Sequence, residues 1–446
     1  EIINQLTRKV KAYRLKQKEK MKNTNKKEIV KLSLQEQKEA MQILQSPNLV
    51  NHLKAAMLKV GLIGETENGL LLFLIFLTRY FDTPLHALVH GSTGSGKTNL
   101  LKSILKLIPE ESKYETTALT ENVLFRPPYK DFWKNKILII EDLDGSFKAL
   151  LPLRELKSNQ YISKFASELN PKTGKYEQTL LEARGPIVIA GATTKERIYE
   201  DNSNRSFLIH VDESSSHEEK VLEYQNKEAA GLIDIEGIRA AAKKIQDIQR
   251  MLSPITCAAS GGIKVVNPFQ PELKLPEYVF KKKRTNLHYI ALIKSITFLF
   301  QYQREKKKDD KGRIYIETTL ADVELANHLS KASLLRKSDE LSGALRGFFE
   351  LLKQTLKAEG TDTFLAKNIR NKLRMHPMKL SRYFTELKNR GYIKQTGGNF
   401  KTGYEYKILI WDDYRLLKDG LKIMDEILEN LWKRFPDGKF SRNKPD

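Results

Sequence analysis

The sequence predicts an α/β fold: a doubly wound parallel sheet built around a phosphate-binding loop, with a helical N-terminal collar, a helical lid, and a winged helix near the C-terminus. Three observations predict it. Apolar strand-like runs alternate with helix-like segments between residues 86 and 210, the pattern of a parallel sheet covered on both faces. A glycine-rich motif falls at the first strand-to-helix turn. A second helix, tight turn, helix and glycine-rich hairpin follow one another between residues 361 and 411.

Taken in chain order, residues 1–35 form a basic arm low in apolar content, read as a frayed helix or a disordered segment. From Ser33 a helical pattern begins with Leu34, Met41 and Leu44; further helices run from Leu49 to Val60 and from Asn68 to Tyr80. Residues 36–85 are thus a helical collar. In the core, residues 86–211, strands are expected at His86–His90, Ile137–Ile140, Ile187–Ala190 and Phe207–Val211, with a helix at Asn99–Leu107. Residues 212–355 read as a mainly helical lid region, 361–411 as the winged helix, and 412–446 as a C-terminal helix and tail.

Composition narrows the function classes. The 446 residues carry 77 Lys and Arg against 55 Asp and Glu, a net charge of +22. Residues 1–35 and 361–410 each hold 11 basic and 3 acidic residues, so the excess is concentrated at two places. That distribution points to a polyanionic partner, although a lysine-rich arm can also be merely solvated. The lone Cys257 excludes an intramolecular disulfide and a cysteine-rich zinc finger. The longest apolar run, Leu70–Leu77, is too short to span a bilayer, and the polar N-terminus does not read as a signal peptide. No membrane partner is expected, and the expected compartment is cytoplasmic. The sequence opens on Glu1 rather than Met, which leaves open a processed or truncated piece.

The motif is Gly91-Ser92-Thr93-Gly94-Ser95-Gly96-Lys97-Thr98, a full match to G-x-x-x-x-G-K-[ST] between an apolar strand and a helix. Glycines let the backbone curl so that N–H groups converge on phosphate oxygens, and the helix that follows presents its positive end to the anion. Lys97 is expected to reach the outer phosphates, Thr98 to ligate Mg²⁺, and Asn99 to complete the nucleotide contacts. The implied cofactors are ATP and Mg²⁺. An acidic pair closes the strand Ile137–Ile140: Glu141 would hold the magnesium shell and Asp142 orient the attacking water. Those roles are exchangeable, and Asp144 is a third candidate. Thr193, just beyond the run Ile187–Ala190, is the candidate for sensing the γ-phosphate. Arg205, ahead of the last strand, is placed to reach a nucleotide held by a neighbouring subunit.

This order of motifs resembles the AAA+ ATPases. Residues 161–184 read as two strands around Asn170-Pro171-Lys172-Thr173-Gly174-Lys175, similar to the pre-sensor hairpin of minichromosome-maintenance and superfamily 3 helicases. In those families a tip lysine tracks nucleic acid; Lys172 and Lys175 stand in that place. Asn267–Pro271 and Lys283-Arg284-Thr285 resemble the lid region of helicases linked to zinc-finger DNA primases in mobile elements. The resemblance makes Arg284 a second sensor arginine, although any cation from Lys281 to Arg284 could serve. It spans roughly residues 40–330. Glu141-Asp142 reverses the usual acidic order, Thr193 stands where asparagine is common, and no primase polymerase motif is present.

The resemblance implies a hexameric, ATP-driven DNA helicase or translocase of a mobile genetic element, threading single-stranded or forked DNA, with a primase as partner. The competing reading is a replication initiator or helicase loader. In residues 361–411, Lys379, Arg382, Lys388 and Arg390 lie away from the apolar positions Leu380, Phe384 and Leu387, and Lys401 sits in the glycine-rich wing; these five are the expected DNA contacts. Winged helices also dock proteins, and that alternative stands beside the first.

Overall fold

In the computed structural model, residues 30–169, 175–194, 204–252, 263–399 and 403–440 are described. The chain divides into two compact units. The first comprises residues 1–273, 281–333 and 427–446; the second comprises 274–280 and 334–426.

The first unit is built on a five-stranded parallel sheet in the order β2-β3-β6-β1-β7. Its strands are β1 (Ala87–His90), β2 (Lys113–Thr116), β3 (Lys136–Ile140), β6 (Ile187–Thr193) and β7 (Phe207–His210). Every residue of β6 is buried, as are the last four of β3, which is why both read as unbroken apolar runs. The register aligns Ala87 with Phe207 and Ala190, and His90 with Thr193 and His210. All chain exits at the C-terminal ends of the strands therefore share one edge of the sheet. This is the sheet of a P-loop AAA+-like fold.

Around the sheet pack the helices Leu34–Gln45, Leu49–Lys59 and Thr66–Leu77. Ser33 starts the first with a capping box: its hydroxyl accepts from Glu36 N–H, and the Glu36 carboxylate accepts from Ser33 N–H at 2.8 Å. The third is apolar on all sides and buried from Gly69 to Leu77, the signature of a helix at the centre of a core. Arg79 follows it, buried, and donates to Phe76 O at 3.0 Å and Tyr80 Oη at 2.7 Å, so its charge is not left without hydrogen bonds.

Two strands, β4 (Tyr161–Leu169) and β5 (Tyr176–Arg184), form an antiparallel hairpin in which Tyr161 pairs with Arg184 and Phe165 with Leu180. Ile162 and Ala183, at its base, enter the core beside β3 and β6. The hairpin tip, and with it Lys172, lies outside the described residues; Lys175 opens β5 and is exposed.

The sequence did not reveal two parts of this unit. β2 is short and polar at its ends, and so lacks an apolar run. A small sheet joins β8 (Lys264–Val266), β9 (Lys307–Lys308) and β10 (Ile314–Glu317), where a charged loop had been expected between Glu305 and Gly312. The helix expected from His288 starts earlier, at Lys282, and places Arg284 inside its first turn.

In the second unit, helices Gly343–Ala358, Ala366–Lys372 and Pro377–Asn389 pack with a three-stranded antiparallel sheet, β11 (Thr363–Leu365), β13 (Gly403–Ile408) and β12 (Ile393–Asn399). The core is Phe348, Phe349, Phe364, Leu380, Phe384 and Tyr406 with aliphatic neighbours. Gly398 has φ +79° and a Cβ there would fall 2.0 Å from Gly403 O, so only glycine fits where the hairpin closes. Lys401, at the tip of that hairpin, lies outside the described residues.

A buried ionic network braces this unit. Arg346 donates to both oxygens of Asp339, at 2.7 and 2.9 Å, and to Asp413 at 2.6 Å. Lys353 bonds Trp411 O at 2.9 Å and pairs with Glu350 at 2.6 Å. Burial alone would raise the Asp413 carboxyl, but Arg346 and Lys353 hold it below its usual range. Arg346→Met would strand buried carboxylates, and a loss of about 3–5 kcal/mol from this unit is expected. Urea unfolding followed by tryptophan fluorescence, with Trp411 as this unit's reporter, measures it; a loss under about 1 kcal/mol would remove the network from the stability of the unit.

Candidate functional site

The loop at the end of β1 leads straight into the helix Lys97–Lys106. Gly94 and Gly96 hold φ of +82° and +91°, and nothing stands within 4 Å of where their Cβ atoms would be. At Gly91 a Cβ would instead meet Ser95 Oγ at 2.4 Å and Val211 Cγ2 at 2.6 Å. The loop is thus a backbone cradle that side chains would fill or distort, which fits it to polyphosphate. Lys97 folds over the cradle, its Nζ donating to Gly91 O at 3.0 Å and Ser92 O at 2.5 Å. Burial pushes its pKa down, against the opposing pull of Glu213 and Asp144.

A cavity of about 620 Å³ extends from the loop between Gly61 and Ile63 on one wall and Val221 and Tyr224 on the other. Glu65 braces that wall: its carboxylate accepts from Asp212 N–H and from Asn68 Nδ2 at 2.6 Å, and burial raises its pKa. The cavity is long enough to take a base and sugar beyond the phosphates.

The acidic residues divide into three environments. Glu141 pairs with Lys102 at 2.9 Å, on the helix that follows the loop. Asp142 Oδ1 accepts from Asp144 N–H at 2.9 Å and Gly145 N–H at 3.2 Å, capping the turn that follows β3. Asp144 accepts from the Thr193 hydroxyl at 2.7 Å and from the Thr194 hydroxyl at 3.0 Å. Asp144 therefore ties the end of β3 to the end of β6, on the same edge as Lys97. The sequence placed it third among the acids; its bond to Thr193 crosses between strands and has no signature in local spacing. Among the described residues there is no cluster of three or more metal-ligating side chains. A divalent ion here would be held by phosphate oxygens with Thr98 and one or two carboxylates, the usual manner of Mg²⁺.

Glu213 and the histidine pair were also missed. Glu213 Oε1 accepts from Ser92 N–H at 2.5 Å, and His90 Nδ1 stands 3.3 Å from His210 Nδ1. Both arise from the β1–β7 pairing, which only the register reveals.

Arg205 and Arg284 lie elsewhere. They line one cavity of about 520 Å³, together with Lys157, Lys264 and Lys294. Asp82–Leu85 and Arg205 precede β1 and β7, so this cavity opens at the edge of the sheet opposite the phosphate loop. Neither arginine lines the cavity at the loop. Lys157 is buried, donates to Ser206 Oγ at 3.1 Å, and is pushed down to about 8 by burial and by Arg205. His86 donates through Nε2 to Lys157 O at 3.0 Å and accepts at Nδ1 from Ile189 N–H; burial lowers its pKa to about 3, so it is neutral.

Lys157 carries a pH dependence. Its folded pKa lies below the 10.5 of the unfolded chain, so the unfolded state binds more protons between about pH 8 and 10.5, and stability rises with pH there. Against Lys157→Met, the wild type should gain about 1–2 kcal/mol between pH 8 and 9.5. Denaturant titrations at the two pH values check this, and parallel behaviour of the two proteins would contradict it.

In the second unit, Lys379, Arg382 and Lys388 are exposed on the helix Pro377–Asn389, opposite buried Leu380, Phe384 and Leu387. Arg390 is held differently: it donates to Glu340 O at 2.7 Å and pairs with Glu386 at 3.4 Å.

A glycine-rich phosphate cradle at the central strand of a parallel sheet, with carboxylates on the same edge, defines a P-loop nucleotide-binding protein. The chain belongs to the family of the MTBMA_p00010 P-loop domain, whose model matches residues 28–253. The family implies nucleotide binding with a divalent metal. The uncharacterized protein MTBMA_p00010 of Methanothermobacter marburgensis is 25% identical over 258 residues, 55% of this chain and 30% of that protein. The chain thus spans less than a third of the length of that curated relative. Among solved structures, a full-length MCM homologue from Methanopyrus kandleri is similar at 12% identity and a TM-score of 0.43, over 69% of this chain and 63% of that one. The Orc1 protein of Aeropyrum pernix, in complex with DNA, matches at 12% identity and a TM-score of 0.25, over 88% and 98%. No helix among the described residues is long and apolar enough to cross a membrane.

Proposed function

We propose that the protein is an ATP-driven DNA helicase or translocase of AAA+ type, acting in replication of a mobile genetic element as a hexameric ring around single-stranded DNA. One observation carries the reading: phosphate loop and acids occupy one edge of the sheet, and the arginine cavity the opposite edge. The two edges are separated by the strands, about 3.3 Å per residue, so Arg205 cannot reach the nucleotide of its own subunit. Placed against the next copy, it can.

In this reading the loop amides and Lys97 hold the phosphates, Thr98 and Glu141 hold Mg²⁺, and Asp142 orients the attacking water. Asp144 sets the rotamer of Thr193, which reads the γ-phosphate. Mg²⁺ supplies charge neutralisation at the phosphates. Arg205 enters from the neighbouring subunit and stabilises charge on the transferring phosphoryl group, and Arg284 accompanies it from the same cavity. Hydrolysis shifts the β4–β5 hairpin, whose Lys172 and Lys175 grip the DNA backbone. Residues 361–411 act as a winged helix: Lys379, Arg382 and Lys388 meet phosphates, with Lys401 in the wing, which gives affinity and salt dependence rather than sequence choice. Arg390, tied to Glu340 O, positions the end of that helix more than it meets DNA. A primase partner and a cytoplasmic site of action complete the reading.

Changing Lys172 and Lys175 together to Ala tests it. ATPase activity without DNA should be retained, and strand separation on a forked duplex should fall at least tenfold, the cost of losing two backbone contacts per subunit. Undiminished unwinding would detach the hairpin from DNA. Hydrolysis on DNA with no strand separation by the wild type would instead favour an initiator or loader.

A further inference from the structure

The helix Leu150–Asn159 and the turn before it carry an unusual distribution of side chains. Phe147 and Leu151, four residues apart and so on one face, are 68% and 60% exposed. They follow directly on Glu141, Asp142 and Asp144. The other end of the same helix supplies Lys157 to the arginine cavity. Ten helical residues span about 15 Å, so the apolar ridge and the cavity belong to opposite edges of the sheet.

The rim of that cavity has the complementary character. On the helix Lys282–Leu299, Arg284, Leu287, Ala291 and Lys294 recur at three- and four-residue spacing and face the cavity together. Leu287 is 64% exposed. One edge thus offers an apolar ridge beside carboxylates, the other an apolar rim beside a cluster of cations. Large apolar side chains exposed beside charged groups mark interaction surfaces, and here the two charges have opposite sign. Because the surfaces sit at opposite edges of one sheet, a single chain cannot join them to each other.

We propose that a second copy of this chain docks head to tail on these surfaces, the Phe147–Leu151 ridge of one copy seating on the Leu287 rim of the next copy's arginine cavity. The contact is heterologous, so it propagates from copy to copy and closes as a ring or continues as a filament. It brings Arg205 and Arg284 toward the acids of the neighbour. The proposal rests on the seam reading given above and names the surfaces that form the seam.

Sedimentation velocity with Mg²⁺ and a non-hydrolysable ATP analogue tests it, using Phe147→Glu and Leu287→Glu. Both residues are exposed, so thermal melts should match the wild type. The wild type should assemble, and each variant alone should assemble at least about 10²-fold more weakly, the effect of an uncompensated charge in a contact. An equimolar mixture of the two should form a one-to-one dimer, since the intact ridge of one variant fits the intact rim of the other. Assembly of either variant as well as the wild type would overturn the proposal, as would a mixture that behaves as its components do. If the wild type hydrolyses ATP while both variants assemble normally, these surfaces are wrong and the seam reading stands. If the wild type stays a single copy and consumes no ATP, both fail together.

Discussion

Lys97→Ala is expected to abolish nucleoside-triphosphate turnover, lowering kcat by at least about 10²-fold, the usual result of removing a donor aimed at developing charge. The side chain already lies over the cradle, its Nζ on the carbonyls of Gly91 and Ser92. Burial costs it some of its proton affinity, while Glu213 and Asp144 keep the ammonium charged. A phosphate chain would replace the two carbonyls as its partner without moving the backbone. Because Lys97 sits in the first turn of the helix, its loss leaves the glycine conformations and the helix dipole in place. Nucleotide affinity should therefore fall less than turnover. A phosphate-release assay beside a fluorescent-nucleotide titration separates the two. Wild-type turnover in this variant would defeat the nucleotide-hydrolase reading.

Arg205→Ala should leave nucleotide affinity unchanged and reduce hydrolysis by about 10³-fold or more, the contribution of an arginine supplied to a phosphoryl-transfer site from outside it. The separation of effects follows from position. Arg205 lies ahead of β7, whose first residue is level with Ala87, whereas the loop begins after His90. Its own subunit's nucleotide is out of reach, so binding does not depend on it. The variant also removes the charge nearest Lys157, whose pKa should rise toward its ordinary value. Unchanged hydrolysis would take Arg205 out of the reaction. Reduced nucleotide affinity at subunit concentrations too low for assembly would place it in its own site instead.

The parts of the fold legible in the sequence are those where local pattern and tertiary role coincide. β3 and β6 are buried on both faces and therefore consist of apolar residues without a break. The phosphate loop is legible because each glycine answers a backbone constraint that no other residue meets as cheaply. The same is true of the apolar helix Thr66–Leu77, which has no solvent face to display a period. β2 and the small sheet of β8, β9 and β10 were hidden because their polar strands are held by neighbours rather than by their own hydrophobicity.

The site divides along the same line. Residues consecutive in sequence could be read together: Gly91 to Thr98, or Glu141 with Asp142. Partnerships across the sheet could not. The Asp144–Thr193 bond joins residues 49 apart, and the Ser92–Glu213 bond joins residues 121 apart. The position of Arg284 was equally invisible. Its basic neighbours made several cations equivalent in sequence, and only the face of the helix that meets Arg205 distinguishes it from Lys282 and Lys283. Lys172 and Lys401, at two hairpin tips, lie outside the described residues.

The central claim is that one nucleotide site is assembled from two copies of the chain, and mixing two inactive variants tests it most directly. Lys97→Ala retains its arginine, and Arg205→Ala retains its phosphate loop. Each alone should be inactive. Combined in equal amounts, they should recover a measurable fraction of wild-type ATP hydrolysis, because some seams pair an intact loop with an intact arginine. A mixture no more active than its components, under conditions in which the wild type assembles and hydrolyses, would contradict a shared site.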